Sequence, residues 1–389
     1  MEALHEDIVS EVLSHIPDAY LQDCKLVCKR WRDHLRNKKL GFLFTVASRN
    51  DEIIQLYHAD YNVIKSAGGH EGYCYETSTT KISLPLVIRK TDEFNVVVGS
   101  CNGLVCFVVP HLGLEDPIYI CNPVTREYMS LPMINTKIAK TGQTSLVVSG
   151  FGYLPSRNEY KVVRILYPHR LPYPDATTVG WVQVCTIGKG SSNGWRNVGV
   201  ITDSLYLHGT HVTGVLYWKD KKNHKIVAFD LEDEVFRIVP PPPCIRPEEQ
   251  GIEMLYWLLN FGGDLSFVDH VWGDHVDVWT FKKNTLEGTN DNFNMNKHDF
   301  YHSWSWIKEV NIEWEGDTHD CNFYDPFALT KSNEVLLWYN ETILRCYDPK
   351  TRSFTELIVG GALEFQAVFG AIPHINNKVS LKEFGFISN

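Results

Sequence analysis

The sequence predicts a small all-α segment followed by a large all-β domain, a β-propeller of about six blades. An open two-layer β-sandwich is the alternative. Three observations carry this. Apolar residues recur at helical spacing only in the first forty positions. From about residue 42 onward, short runs of Val, Ile, Tyr, Phe and Trp alternate with Gly, Asn, Asp and Pro turns. Those runs return as units of one design. The divisions are 1–42, helical; 43–95, connecting strands that help close the propeller; 96–375, the main β-domain; and 376–389, a C-terminal tail.

In the helical segment Leu4, Ile8, Val9, Val12, Leu13 and Ile16 make one apolar face. Pro17 stops that helix, and Asp18 suits the N-cap of the next. Leu21, Cys24, Val27, Cys28, Trp31 and Leu35 form a second stripe. Acidic Glu2, Glu6, Asp7 and Glu11 precede a basic stretch from Lys25 to Lys39. That stretch alternates with the apolar stripe, so it reads as the solvated face of an amphipathic helix rather than a nucleic-acid patch.

Three β-units are well marked. One spans Val97 to Pro132 and contains Ile120-Cys-Asn-Pro-Val-Thr-Arg-Glu-Tyr128. Another spans Val212 to Pro243 and contains Phe229-Asp-Leu-Glu-Asp-Glu-Val-Phe236. A third spans Ala328 to Val359 and contains Tyr347-Asp-Pro-Lys-Thr-Arg-Ser-Phe354. In each, a strand ends in an Asx residue, a tight polar turn follows, and the last strand carries an aromatic. Looser copies occupy Ser149–Val198 and Leu259–Ile312. Strands near 42–90 and the segment Phe365–Ile372 complete the set. One such sheet cannot bury both its faces, whereas radial stacking can.

Bulk properties narrow the function. The chain has 389 residues and a formal net charge of -10. An acidic chain is a poor default partner for nucleic acid. No apolar run reaches the length of a membrane helix, and Glu2, Glu6 and Asp7 stand where a secretion signal needs basic and apolar residues. The ten cysteines are scattered, without a CxxC pair, and read as reduced thiols of the cytosol or nucleus.

Leu4-His-Glu-Asp-Ile-Val-Ser-Glu-Val-Leu-Ser-His-Ile-Pro17, followed by Leu21-Gln-Asp-Cys-Lys-Leu-Val-Cys-Lys-Arg-Trp31, resembles an F-box. His5 departs from the usual Pro, and Asp18-Ala-Tyr20 stands where a Val-Lys-Ser type stretch is common. Ile120–Pro132 and Phe151–Ile165 are similar to the first two repeats of the kelch-like F-box-associated domain of plant F-box proteins. The resemblance implies a non-catalytic substrate receptor of a Skp–cullin–F-box ubiquitin ligase. It implies a Skp-type adaptor, through it a cullin, and a target protein as partners. Leu4, Ile8, Leu13, Pro17, Leu21, Val27, Cys28 and Trp31 are then the adaptor-binding candidates.

No phosphate loop, Ser elbow or catalytic cysteine stands out, and no cofactor is expected. Asp269-His270 and Asp274-His275-Val-Asp277 look like metal-ligand clusters, but turn and edge roles explain them, as they do His298 and His302. No metal is expected there. Tyr301, Trp304 and Trp306, with Trp314, are candidate target-binding aromatics, against the alternative of packing between blades. Segments 133–145, 168–180, 244–256 and 284–303 are candidate recognition loops. The competing readings are a glycan- or small-molecule-binding propeller with a purely structural helical start, and a propeller enzyme with an axial metal.

Overall fold

Strands rich in β-branched and aromatic residues pair into sheets in the computed structural model. It describes residue 12 and residues 40–47, 53–65, 73–82, 88–89, 96–109, 117–133, 146–167, 179–191, 194–220, 225–245, 256–271, 274–284, 303–314, 323–330, 332–359, 367–377 and 379–384. The adaptor candidates Leu4, Ile8, Leu13, Pro17, Leu21, Val27, Cys28 and Trp31 lie outside the described residues, as do Tyr301, His298 and His302.

The chain opens with β1 (Leu40–Ala47), β2 (Ile53–Lys65), β3 (Tyr73–Lys81) and the short β4 (Ile88–Arg89). A four-stranded meander follows: β5 (Val97–Cys101), β6 (Leu104–Val108), β7 (Ile118–Asn122) and β8 (Glu127–Ser130). The next is β9 (Leu146–Leu154), β10 (Glu159–Tyr167), β11 (Gly180–Ile187) and β12 (Trp195–Ile201). Then come β13 (Leu205–Val212), β14 (Val215–Asp220), β15 (Ile226–Asp230) and β16 (Phe236–Val239). After them run β17 (Tyr256–Phe261), β18 (Asp264–Val271), β19 (His275–Lys283) and β20 (Trp304–Glu313). The last meander is β21 (Tyr324–Leu329), β22 (Val335–Tyr339), β23 (Ile343–Asp348) and β24 (Ser353–Glu356). Two strands end the series, β25 (Ile358–Val359) and β26 (Ala367–His374). β26 returns to β1, so strands from both ends of the domain share one sheet, ordered β25-β3-β2-β1-β26.

Burial peaks in the middle strands of the meanders and is least on the outermost one. β6 is buried throughout, and β10 at all but its first residue, whereas β24 has no fully buried position. A strand buried on both faces needs a sheet on either side. The cores supply it. Phe151, Tyr160 and Val162 pack on Leu104, Ile118 and Ile120. Val163 and Ile165 meet Trp218 and Phe229, and Ala228 and Tyr217 meet Phe267 and Phe281. Val278 and Val310 meet Leu337 and Tyr347. Trp338 and Leu344 meet Phe42 and Phe44, and Leu43 with Leu56 meets Val105 and Phe107, which closes the ring. This arrangement is a β-propeller and not a sandwich.

The count departs from about six. Continuous hydrogen bonding divides the strands into five sheets, because β9 through β16 form one of eight strands. β9 and β13 run parallel and touch at Gly150 and Gly209. Both glycines lie on the indole of Trp218, whose Nε1 donates to Ser149 O at 3.3 Å. A Cβ on Gly150 would stand 2.6 Å from that ring, and one on Gly209 2.5 Å from it. Only two hydrogen side chains let the strands come this close.

The repeated turns have one chemistry. Asn122 Oδ1 accepts from Val124 N at 2.8 Å, Asp230 Oδ1 from Glu232 N at 2.8 Å, and Asp348 Oδ1 from Lys350 N at 2.8 Å. Each turn ends in a residue of positive φ: Arg126 at 59°, Glu234 at 57° and Arg352 at 55°. The backbone N–H of that residue donates to the Asx carbonyl, at 2.9, 2.8 and 2.8 Å.

Residues after β26 are packed. Asn122 Nδ2 donates to Asn377 O at 3.0 Å and Val379 O at 2.6 Å. Glu127 accepts from Ser380 Oγ and from Leu381 N at 2.7 Å. Leu381 and Phe384 enter the core between the β5–β8 and β9–β12 meanders.

Gly209→Ala forces the Cβ into the Trp218 ring. Chemical denaturation followed by tryptophan fluorescence should show a loss of about 1–3 kcal/mol, the usual range for overpacking.

Candidate functional site

The first strand of each meander and β26 face a common axis. β5, β9, β13, β17, β21 and β26 follow one another as neighbours around it. They run in one direction. Thr210 Oγ1 donates to Leu258 O at 2.9 Å and Asn260 Nδ2 to His211 O at 2.9 Å, so β13 and β17 keep parallel step. The Trp257 and Phe323 rings lie 5.9 Å apart near the starts of β17 and β21, and Gly262 approaches Leu329 beyond their ends. Ser100 Oγ lies 2.7 Å from His374 Nδ1, and Asn377 Nδ2 donates to Asn102 Oδ1 at 3.1 Å, which aligns β5 with β26. Asn102, just past β5, donates from Nδ2 to the Tyr160 hydroxyl at 2.9 Å, next to the turn that ends β9.

Along this axis runs a cavity of about 650 Å³. Valine, leucine and isoleucine side chains of the inner strands make its apolar wall, with Trp257 and Phe323. Ser100, His208, Thr210, His211, Asn260, Asp325 and His374 are among its polar residues. The volume and lining suit a small ligand.

The polar groups differ in how they are held. His211 Nε2 accepts from Gly214 N at 3.1 Å and Tyr153 N at 3.4 Å, which assigns the neutral Nδ1–H tautomer. Burial holds its pKa down at about 4. Burial, then the neighbouring His58, holds His374 at about 3. Both are uncharged at neutral pH. Asp325 has no such support: its backbone pairs in the β21–β22 ladder, but its carboxyl makes no hydrogen bond or ion pair among the described residues. Burial, with the negative charge of Glu341 added, raises its carboxyl from 3.8 to about 7. No lysine or arginine is among the described residues lining the cavity.

The sequence candidates lie elsewhere. Trp304 and Trp306 sit on β20, the outermost strand of its sheet. Trp304 stacks on Phe281 at 5.2 Å; Trp306 packs on Phe281 at 4.9 Å, and its Nε1 donates to Pro240 O at 2.7 Å. They fill the junction between neighbouring meanders, the packing alternative. Trp314 packs near Tyr324, with ring centroids 6.3 Å apart.

The Asp-His cluster is an ion-pair group. Asp277 receives Lys308 Nζ at 2.6 Å and Asn311 Nδ2 at 2.8 Å, and lies 3.3 Å from His275 Nε2. His270 points apart from it, between Trp257 at 4.6 Å and Phe323 at 4.9 Å. Among the described residues no three His, Cys, Asp or Glu side chains are placed to hold a metal. Burial raises the thiols of Cys121 to about 12 and Cys185 to about 11, far from a nucleophile's range.

Strand direction sorts the candidate loops. Segments 133–145 and 244–256 follow the fourth strands β8 and β16, and 168–180 follows the second strand β10. All three leave from the face where the inner strands begin. Segment 284–303 follows β19, a third strand, and leaves from the opposite face.

Sequence reasoning missed the axial residues. His208-Gly-Thr-His211 and Tyr324-Asp-Pro326 lie before or at the start of the marked units, and polar residues within a strand were the one available signal.

Residues 44–378 match the family model of the F-box associated beta propeller domain, and residues 1–43 that of the F-box domain. F-box protein At3g07870 of Arabidopsis thaliana is 26% identical, with 93% of this chain and 88% of that protein covered. F-box/kelch-repeat protein At3g23880 of the same plant is 24% identical over 71% of this chain and 75% of that protein.

Asp325 gives the fold a signed pH dependence. Its folded pKa lies above the ordinary value, so the native state binds the proton more tightly and stability falls as pH rises from about 4 to about 7. Asp325→Asn should be more stable than the parent at pH 8, by a few kcal/mol at about 1.4 kcal/mol per unit. The gain should vanish near pH 4, as read by denaturant titrations at both pH values.

Proposed function

Since this chain belongs to the F-box proteins that carry an F-box-associated β-propeller domain, we propose that it is the substrate-recognition subunit of a Skp–cullin–F-box ubiquitin ligase. The pairing of residues 1–43 with a propeller over 44–378 is the observation that carries the reading. In this reading Leu4, Ile8, Leu13, Pro17, Leu21, Val27, Cys28 and Trp31 form the small helical core and its adaptor face. A segment this short cannot bury all the apolar residues it carries, so part of that face meets an outside protein. Val12, helical and 44% exposed, agrees with this.

The propeller then holds a target protein. The face where the inner strands begin is favoured, because three of the four long segments leave from it. A cullin follows through the adaptor, and the complex works in the cytosol or nucleus. The receptor needs no chemistry of its own. It raises the effective concentration of target lysines near the ligase's catalytic module.

The test is co-expression of the full chain with a Skp-type adaptor. The double variant Leu13→Ala, Trp31→Ala should keep the propeller's thermal transition and lose adaptor capture. Undiminished capture by a fragment without residues 1–43 would discard the assignment. With the proteasome inhibited, proteins retained by the double variant are the target candidates.

A further inference from the structure

We propose that the axial cavity is a binding site for a small protonated amine with an apolar body, its ammonium held by Asp325 beside the rings of Trp257 and Phe323. Three observations meet here. The cavity, about 650 Å³, has room for such a ligand, and its wall is mostly apolar. Asp325 is the one carboxylate among its described lining residues, and none of them is lysine or arginine. Two aromatic rings, 5.9 Å apart, flank the same end of the inner strands, a setting that favours a cation.

The alternative sources of positive charge are accounted for. His211, His270 and His374 are held neutral by burial. Glu341, on the turn between β22 and β23, adds negative charge. A half-buried carboxylate without a partner is costly, and a bound ammonium supplies a charge-assisted hydrogen bond. Apolar wall residues such as Val98, Leu258 and Ile372 would take the ligand's body. The same chemistry has a second source, a lysine side chain of a bound protein reaching in from the face where the inner strands begin.

This inference is independent of the adaptor. The experiment uses the full chain and reads binding by calorimetry and ligand-observed NMR. Phenethylamine and tryptamine are compared with their neutral counterparts, 2-phenylethanol and indole-3-ethanol, and with Nα-acetyl-lysine amide. The amines should bind at least roughly tenfold more tightly than the alcohols, the scale of one charge-assisted hydrogen bond. Asp325→Asn should erase that preference. In the unmodified chain the amine affinity should rise between pH 6 and pH 8, as Asp325 loses its proton while the amine keeps its own. His208 also lines the cavity, so the pH profile is repeated in His208→Gln, where the rise should persist.

Binding of the capped lysine but not of the free amines keeps the chemistry and assigns the source to a protein side chain. Equal binding of amine and alcohol, an unchanged preference in Asp325→Asn, or no amine binding at all overturns the proposal. Adaptor capture is measured on the same samples, so a failed cavity and a failed F-box are told apart.

Discussion

An inner strand buried on both faces has to find a second sheet on each side, and this requirement organises the whole domain. No meander can stop the series, because the last one would leave an apolar face in water. The chain answers by bringing β26 back beside β1. Alternation along β1 then serves two junctions at once: Phe42 and Phe44 enter the core shared with Trp338, and Leu43 enters the core shared with Phe107. The strand that closes the ring is therefore packed as tightly as any inside it. The residues after it add polar fastening through Asn122 and Glu127, with Leu381 and Phe384 buried beneath.

The turns between third and fourth strands show how a repeat is kept and then used. Asn122, Asp230 and Asp348 hold the same backbone N–H groups, and each turn leaves its last residue at positive φ. Gly would relieve that strain. At Glu234 the side chain has a second duty. It pairs with Lys161, which is 3% exposed, at 2.8 Å, and with Arg196. Burial works against its ionised form, but hydrogen bonds from Arg196 and Lys161 outweigh it and hold its carboxyl below the usual range. A glycine there would free the backbone and strand a buried ammonium, which is the larger penalty. Arg196 and Lys161 belong to one meander and Glu234 to the next, so the ion pairs reinforce the junction already fixed by Gly150 and Gly209.

Much of this was legible. The Asx-turn runs at 120–128, 229–236 and 347–354 marked real hairpins because their chemistry is local: an oxygen two residues from the N–H it binds. The propeller followed from repeated sheets with two apolar faces. Two things were not legible. The fusion of β9 with β13 depends on two glycines far apart in sequence meeting on one tryptophan, and no local pattern announces it. The axial residues broke the alternation used to find strands. His208, His211 and Asp325 face a cavity rather than solvent or core, and the marked units began after them, at Val212 and Ala328. Trp304 and Trp306 carried two readings at once, since aromatic content signals burial between sheets as readily as exposure, and both pack on Phe281 while staying partly exposed.

The two faces of the domain are built to different ends. Where the inner strands finish, residues 377 and 379–384 lie across the turns, bonded to Asn102, Asn122 and Glu127, and the one long segment that leaves is 284–303. Where the inner strands begin, three of the four long segments leave, and Asp325, Trp257 and Phe323 line the cavity. An ionised carboxylate without a partner weakens the fold that holds it. The ring tolerates this because its stability comes from cores at every junction around the axis and from the β1–β26 closure, none of which uses Asp325. A site can be kept out of electrostatic balance only on a frame that does not depend on it, and here the unbalanced group stands at the face from which three of the four long segments also project. In the proposed reading, rim and cavity share one side of the molecule, and a cation bound at the axis would lie within reach of whatever the rim holds.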